Sequence, residues 1–165
     1  EDVFLAAEFD VHGIAPAKDL QSGLYGYYNQ DGYWEIPPQY ETTYSFEGDY
    51  AFFREDGKGG IMDRSGAIIL PPKYSIVYTL SEGDPALFGI CETRDEKQLY
   101  GLADSNGTIL IEPQDKWTYS VPMYSCGYCV VNYRYRQYDP ESGDYTDSSP
   151  NSLIDEKGNE IPLPY

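Results

Sequence analysis

The chain has 165 residues, enough for one domain or one compact repeat array. Asp and Glu number 28 against 11 Lys and Arg, a formal net charge of −17, which sets it against nucleic-acid phosphates and anionic lipid. No run reaches the ~18 apolar residues of a membrane-spanning helix, so membrane insertion is not expected.

The 41% hydrophobic fraction is dominated by Tyr, 18 residues against 6 Phe and 2 Trp. Such rings pack by their faces while the hydroxyl stays wet or finds a partner, and they favour strands. Spread among them, 16 Gly and 12 Pro leave little room for long helices. The predicted class is all-β, with the acidity keeping a Tyr-rich surface soluble.

The chain opens Glu1-Asp2-Val3-Phe4, with neither an initiator Met nor a signal-peptide pattern, as expected of a trimmed end. Val3 to Phe9 reads as a first strand and Asp10 to Gln21 as an insertion, with His12 in a loop. A unit then begins that recurs along the chain. Gly26-Tyr27-Tyr28-Asn29-Gln30-Asp31-Gly32 is followed by Gly60-Ile61-Met62-Asp63-Arg64-Ser65-Gly66, Gly101-Leu102-Ala103-Asp104-Ser105-Asn106-Gly107 and Ser152-Leu153-Ile154-Asp155-Glu156-Lys157-Gly158. Asn or Asp at the turn start bonds backbone N–H groups further on, and Gly three positions later supplies the positive φ that closes a bulged hairpin.

Each turn leads into an apolar run that reaches proline, at Pro37-Pro38, Pro71-Pro72, Pro113 and Pro162, and two copies continue to Tyr40 and Tyr74. Proline removes a ladder donor, so these strands are expected to stop there. A second block, Phe46-Glu47-Gly48-Asp49-Tyr50-Ala51 and its counterparts from Ser81 and Ser125, opens a strand before three of the hairpins. The unit is therefore strand, connection, strand, turn, strand. Four copies, about 3–40, 46–74, 81–115 and 125–165, make one domain over 1–165 with about a dozen strands. The expected fold is an antiparallel repeat array of four three-stranded units, either propeller-like or an open β stack.

Length varies at the first connection of the unit. It is tight at Glu55-Asp56-Gly57-Lys58, longer from Glu92 to Gln98 and longest from Tyr138 to Pro150. Insertions confined to one connection lie on one edge of an array, often its working edge.

The run Gly23-Leu24-Tyr25-Gly26-Tyr27-Tyr28-Asn29, with Gly32, Ile36-Pro37-Pro38 and Tyr40, resembles the WG-containing β repeat of bacterial proteins. The copies from Lys58 and Gln98 resemble it too. Tyr25, Gly59, Tyr100 and Asn151 stand where that repeat's name-giving Trp belongs, and the fourth copy also lacks its Gly. The resemblance implies scaffolding of unassigned role, often exported or at a cell surface.

The most enzyme-like motif is Cys126-Gly127-Tyr128-Cys129, which has thiol–disulfide oxidoreductase spacing. It overlies the repeat block, Cys126 aligning with Glu47 and Glu82, and the run from Val130 to Arg136 reads as a strand. Cys91 is left unpaired. Three Cys and one His make a structural zinc and most His-based triads unexpected. One Asp per turn (Asp63, Asp104, Asp155) is not a calcium loop, and the acidic 139–147 insertion reads foremost as solvated. No cofactor or metal is expected.

From Tyr133 to Tyr138 aromatics alternate with cations, which puts Tyr133 and Tyr135 on one strand face and Arg134 and Arg136 on the other. With Tyr138 and Tyr145 they are the candidate ligand-binding residues, for a protein or glycan. The expected function is a non-catalytic binding or scaffolding module, secreted or at a cell surface. The alternative is an enzyme, either a carboxylate-based hydrolase or a thiol redox protein using Cys126 and Cys129.

Overall fold

The computed structural model describes the backbone of residues 2–81, 86–115, 117–118, 124–125, 128–133, 135–138, 141–143, 145–148, 151–155 and 157–162, and side chains at 2–81, 86–115, 141–143, 152–155 and 157–161. No helix occurs among the described residues. The chain divides into two compact units, 1–78 and 79–165.

In residues 1–78 there are two sheets. The first holds β1 (Val3–Leu5), β2 (Ile14–Asp19), β3 (Tyr25–Asn29) and β4 (Trp34–Tyr40), paired antiparallel in that order. The second repeats the plan with β5 (Thr42–Thr43), β6 (Tyr50–Glu55), β7 (Lys58–Asp63) and β8 (Ile68–Tyr74). Strand β9 (Ile76–Ser81) runs across the division and edges a third sheet with β10 (Leu87–Arg94), β11 (Lys97–Asp104) and β12 (Ile109–Gln114).

Beyond it come β13 (Trp117–Thr118), β14 (Tyr124–Ser125), β15 (Tyr128–Tyr133), β16 (Tyr135–Tyr138), β17 (Tyr145–Ser148), β18 (Asn151–Asp155) and β19 (Glu160–Pro162). Strands β16 and β17 pair only with each other, and the rest form the fourth sheet. Each repeat copy thus supplies the three long strands of one sheet. A further edge strand, from the two residues of β5 to the six of β9, is added by the chain before each copy's long strands, so the sheets exceed the expected three strands. Every sheet draws on one stretch of chain, so the described pairings leave four sheets in series without closing a ring.

The expected turns are present in detail. Asp63 Oδ1 accepts from the N–H groups of Ser65 at 2.8 Å and Ala67 at 3.0 Å. Asp104 Oδ1 does the same with Asn106 and Thr108, and Asp155 Oδ1 with Lys157 and Asn159. Asn29 Oδ1 accepts from Tyr33 N–H at 2.9 Å. The closing glycines sit at φ of 88° (Gly32), 83° (Gly66), 78° (Gly107) and 81° (Gly158), a region that L side chains avoid.

Prolines do not end the strands of the first three copies, whereas β19 ends at Pro162 as expected. β4 runs through Pro37 and Pro38, and β8 through Pro71 and Pro72. Between the pairs Tyr27↔Ile36 and Tyr25↔Tyr40 the register slips by two residues, as it does between Ile61↔Leu70 and Gly59↔Tyr74. The prolines therefore occupy bulges, where the ladder makes no demand on a backbone donor. Each bulge swings a carbonyl inward against the repeat's conserved-spacing glycine. A Cβ on Gly26 would lie 2.3 Å from Ile36 O, and one on Gly101 2.4 Å from Ile111 O. In the fourth copy β18 pairs with β19 in unbroken register, and Ser152 fits there.

Two further expectations fail. Asp10 to Gln21 is no insertion but contains β2, the central strand beside β3, while Val3–Leu5 is its outer neighbour. Pro16 lies inside β2, and its carbonyl accepts from Ala6 N–H at 2.8 Å. Since N and O of a strand residue face the same side, its missing donor faces short edge strand β1 and spares the β2–β3 ladder. Glu92 to Gln98 is not a long link either. β10 and β11 pair as far as Arg94↔Lys97 and leave a two-residue turn with Asp95 and Glu96 at φ 50° and 63°.

Packing follows one rule in both units. Tyr27, Ile36 and Tyr40 of the first sheet bury against Ala51, Phe53 and Met62 of the second. In residues 79–165, Leu87 and Leu102 of the third sheet meet Ile154 of the fourth. Full burial of each large apolar side chain contributes about 1.5–3 kcal/mol.

Two outcomes are expected. Gly26→Ala and Gly101→Ala should each cost about 1–3 kcal/mol in urea unfolding through forced displacement of the bulge, whereas Ser152→Ala should cost only the hydrogen bond of its hydroxyl to Glu160, about 0.5–1.5 kcal/mol. Glu96→Gly relieves a left-handed non-glycine residue and should stabilise by about 0.5–1 kcal/mol, read as a raised unfolding midpoint.

Candidate functional site

Carboxylates dominate the chain, so their employment comes first. Burial alone would raise Asp63, but the Ser65 hydroxyl and the N–H groups of Ala67, Ser65 and Gly66 outweigh it and hold the carboxyl below its usual range. Asp155 is lowered by the Asn159 side chain and by the N–H groups of Asn159 and Lys157, against slight desolvation. The Ser22 hydroxyl and backbone lower Asp19, which closes the β2–β3 hairpin.

A turn of the same form, unrecognised in the sequence, stands at Asp10-Val11-His12-Gly13. Asp10 Oδ1 accepts from His12 and Ile14 N–H groups, Gly13 N–H donates to Asp10 O, and Gly13 has φ 75°. Burial opposes the charge on Asp10, yet Arg64 and these amides lower it. Arg64 donates to Asp10 Oδ2 at 2.8 Å and Gly48 O at 2.7 Å, and lies 4.6 Å over the Phe46 ring. It thereby ties the connecting loops of the first two sheets together. These carboxylates are turn fittings, with the geometry of structural acceptors.

The candidate tyrosines fall where backbone but not side chains is described. Tyr133 ends β15 opposite Trp117, and Tyr135 opens β16 opposite Ser148, so the two stand in different sheets. The continuous alternating strand expected from Tyr133 to Tyr138 is thus divided. In the β16–β17 ribbon Tyr138 pairs with Tyr145 and Arg136 with Asp147, which puts these pairs on alternate rungs of one face. The fourth sheet closes behind the ribbon at Asn132↔Asn151, so the ribbon is an addition to the first connection of the fourth copy.

Cys126 lies outside the described residues. Cys129 is inside β15, opposite Tyr124 and Ile154, rather than at a helix N-terminus. Cys91 is buried in β10 with its thiol pushed up by desolvation and by neighbouring Glu92. Among the described residues no three His, Cys, Asp or Glu stand together in a metal-holding group.

Aromatic surface that the repeat reading passed over lies on the β3–β4 hairpin. Tyr28 and Trp34 are cross-strand partners with ring centroids 5.1 Å apart at 78°. Tyr28 Oη donates to Gly32 O at 2.6 Å, and Tyr33 beside them is 69% exposed. Both residues were absorbed by the repeat pattern, so nothing in their spacing set them apart. At the site of the repeat's Trp, Gly59 leaves room for the Phe52 ring, which a Cβ there would meet at 2.5 Å.

Serial antiparallel sheets, each closed by an Asp- or Asn-anchored turn, define an all-β repeat protein. Residues 25–58 and 60–91 match the profile of the WG containing repeat, so the segment 25–91 is built of WG repeats. No curated protein and no solved structure matches the chain.

The lowered turn carboxylates set the acid limb of stability. Folded pKa values below the unfolded 3.8 give stability that is fully present above that value and lost as pH falls through the folded one. Asp63→Asn keeps the acceptor oxygen, as Asn29 does naturally. It should therefore reduce the loss of stability below about pH 4 while changing the pH 7 midpoint little, measured by urea unfolding across pH.

Proposed function

We propose that the chain is a non-catalytic binding or scaffolding module of the exported or cell-surface kind, with a protein or glycan partner held at the β16–β17 ribbon. One observation carries this reading. The ribbon is interposed where the second and third sheets make two-residue turns at Asp56-Gly57 and Asp95-Glu96, and the fourth sheet's ladder is complete without it. Structure that a fold does not need for its own core is free to serve recognition.

The register supports a tyrosine-bearing face, with Tyr138 opposite Tyr145 on a narrow antiparallel ribbon. Tyr is suited to such work because it offers a large amphipathic area with few torsions to immobilise. The binding reading also fits carboxylates that serve the turns, since an acid pair for hydrolysis must be free to approach a substrate.

The test uses glycan and peptide arrays to obtain a ligand, followed by calorimetry on variants. Tyr138→Ala combined with Tyr145→Ala should weaken binding at least about tenfold with an unchanged melting temperature. Replacing residues 135–148 by a two-residue turn should abolish it. Undiminished affinity in both variants would overturn the assignment. So would insulin reduction by the wild-type chain that is lost in Cys126→Ser.

A further inference from the structure

The chain already uses its own cations on its own rings. Lys18 Nζ stands 5.4 Å from the Tyr25 centroid, Arg64 4.6 Å over Phe46 and Lys73 5.1 Å from Tyr74. Trp is the strongest cation acceptor of the aromatic residues, yet among the described residues no cation lies over Trp34. Chain composition makes this local: residues 19–53 contain no Lys or Arg but six acidic residues.

Geometry holds the ring ready. Tyr28 abuts Trp34 edge-on at 5.1 Å and is itself fixed by its hydroxyl bond to Gly32 O, so the corner between the rings is preformed. Glu35, next in sequence and exposed, is positioned by Asn29 Nδ2 on Oε2 at 3.1 Å, and among the described residues none bonds its Oε1. Asp31 is exposed at the hairpin tip, and Tyr33 is 69% exposed.

We infer that Trp34, backed by Tyr28 and flanked by Glu35 and Asp31, is a docking point for a lysine or arginine side chain of a basic protein segment. The aliphatic stem of such a side chain lies along the indole while its charge reaches the carboxylates. This site adds a partner chemistry to the binding reading but does not depend on the ribbon, since it belongs to the first sheet.

The experiment uses the full chain carrying Trp117→Phe, so that Trp34 is the sole tryptophan reporter. Oligolysine and oligoarginine should shift its fluorescence saturably, with affinity falling as salt rises, and the double variant of Tyr138 and Tyr145 should leave this unchanged. By calorimetry, Trp34→Ala should weaken oligolysine binding about tenfold and Trp34→Phe by about a third of that factor or less. Neither alters the net charge of −17, so general attraction to a polycation drops out of the comparison. Glu35→Gln should weaken binding several-fold without changing the melting temperature. Equal affinity of Trp34→Ala and wild type overturns the inference. So does a fluorescence shift with neutral oligosaccharides and none with oligolysine.

Discussion

The fold depends on a single carboxylate oxygen that accepts two backbone N–H groups. At Asp63, Asp104 and Asp155, Oδ1 takes the amides two and four residues on, while the glycine between them closes the hairpin at positive φ. A turn fixed in this way sets strand register, and register decides which side chains face the neighbouring sheet. Five of the chain's 28 acidic residues thus have a structural role as turn acceptors. The same device at Asp10 governs the start of β2, Asp19 instead spreads the Gln21 and Ser22 amides over its two oxygens, and Asn29 shows that the acceptor matters more than the charge.

A second constraint follows from the first. Past the turn of each of the first three copies the strand must cross one or two prolines without losing its sheet, and it does so by bulging opposite a glycine. Gly26, Gly60 and Gly101 stand where the bulge carbonyl comes within 2.3–2.7 Å of a hypothetical Cβ. Glycine and proline are therefore coupled across the hairpin. Relaxation of one goes with relaxation of the other, as in the fourth copy, where Ser152 faces Pro162 in regular register. The proline strands β4, β8, β12 and β19 are also the outer strands of their sheets, and proline there discourages pairing with another chain.

What could be read in advance was whatever rests on local chemistry. Asn or Asp followed by Gly at fixed spacing identified four turns and placed one sheet around each. β2 escaped because Pro16 argues against a strand until its donor is seen to face β1. The Asp10 turn escaped because no apolar pair precedes it in the pattern. Glu96 in a left-handed turn contradicts its own propensity, so the β10–β11 hairpin looked like a longer link. Of the candidate tyrosines, alternation placed Tyr133 and Tyr135 on one strand, but pairing with Trp117 and Ser148 assigns them to separate sheets. Such partners are distant in sequence, and periodicity carries no information about them. Trp34 stands two residues after its turn glycine, as Ile68 and Ile109 do after theirs, so its spacing carries no separate signal.

These constraints leave few places where function could be added. Apolar faces are consumed between sheets, as Tyr27 and Phe53 show, and the turn carboxylates are held by backbone amides. One outer strand of each of the four sheets carries proline. The connection between the first two long strands of each sheet is under none of these demands, and it takes four forms. It is an Asp19-anchored loop, then Asp56-Gly57, then Asp95-Glu96, and finally the β16–β17 ribbon. An antiparallel ladder continues behind each of the four. A repeat whose ladders continue behind connections of such different lengths permits that connection to change at little cost to stability, so the least repetitive segment of the chain lies where the fold constrains sequence least.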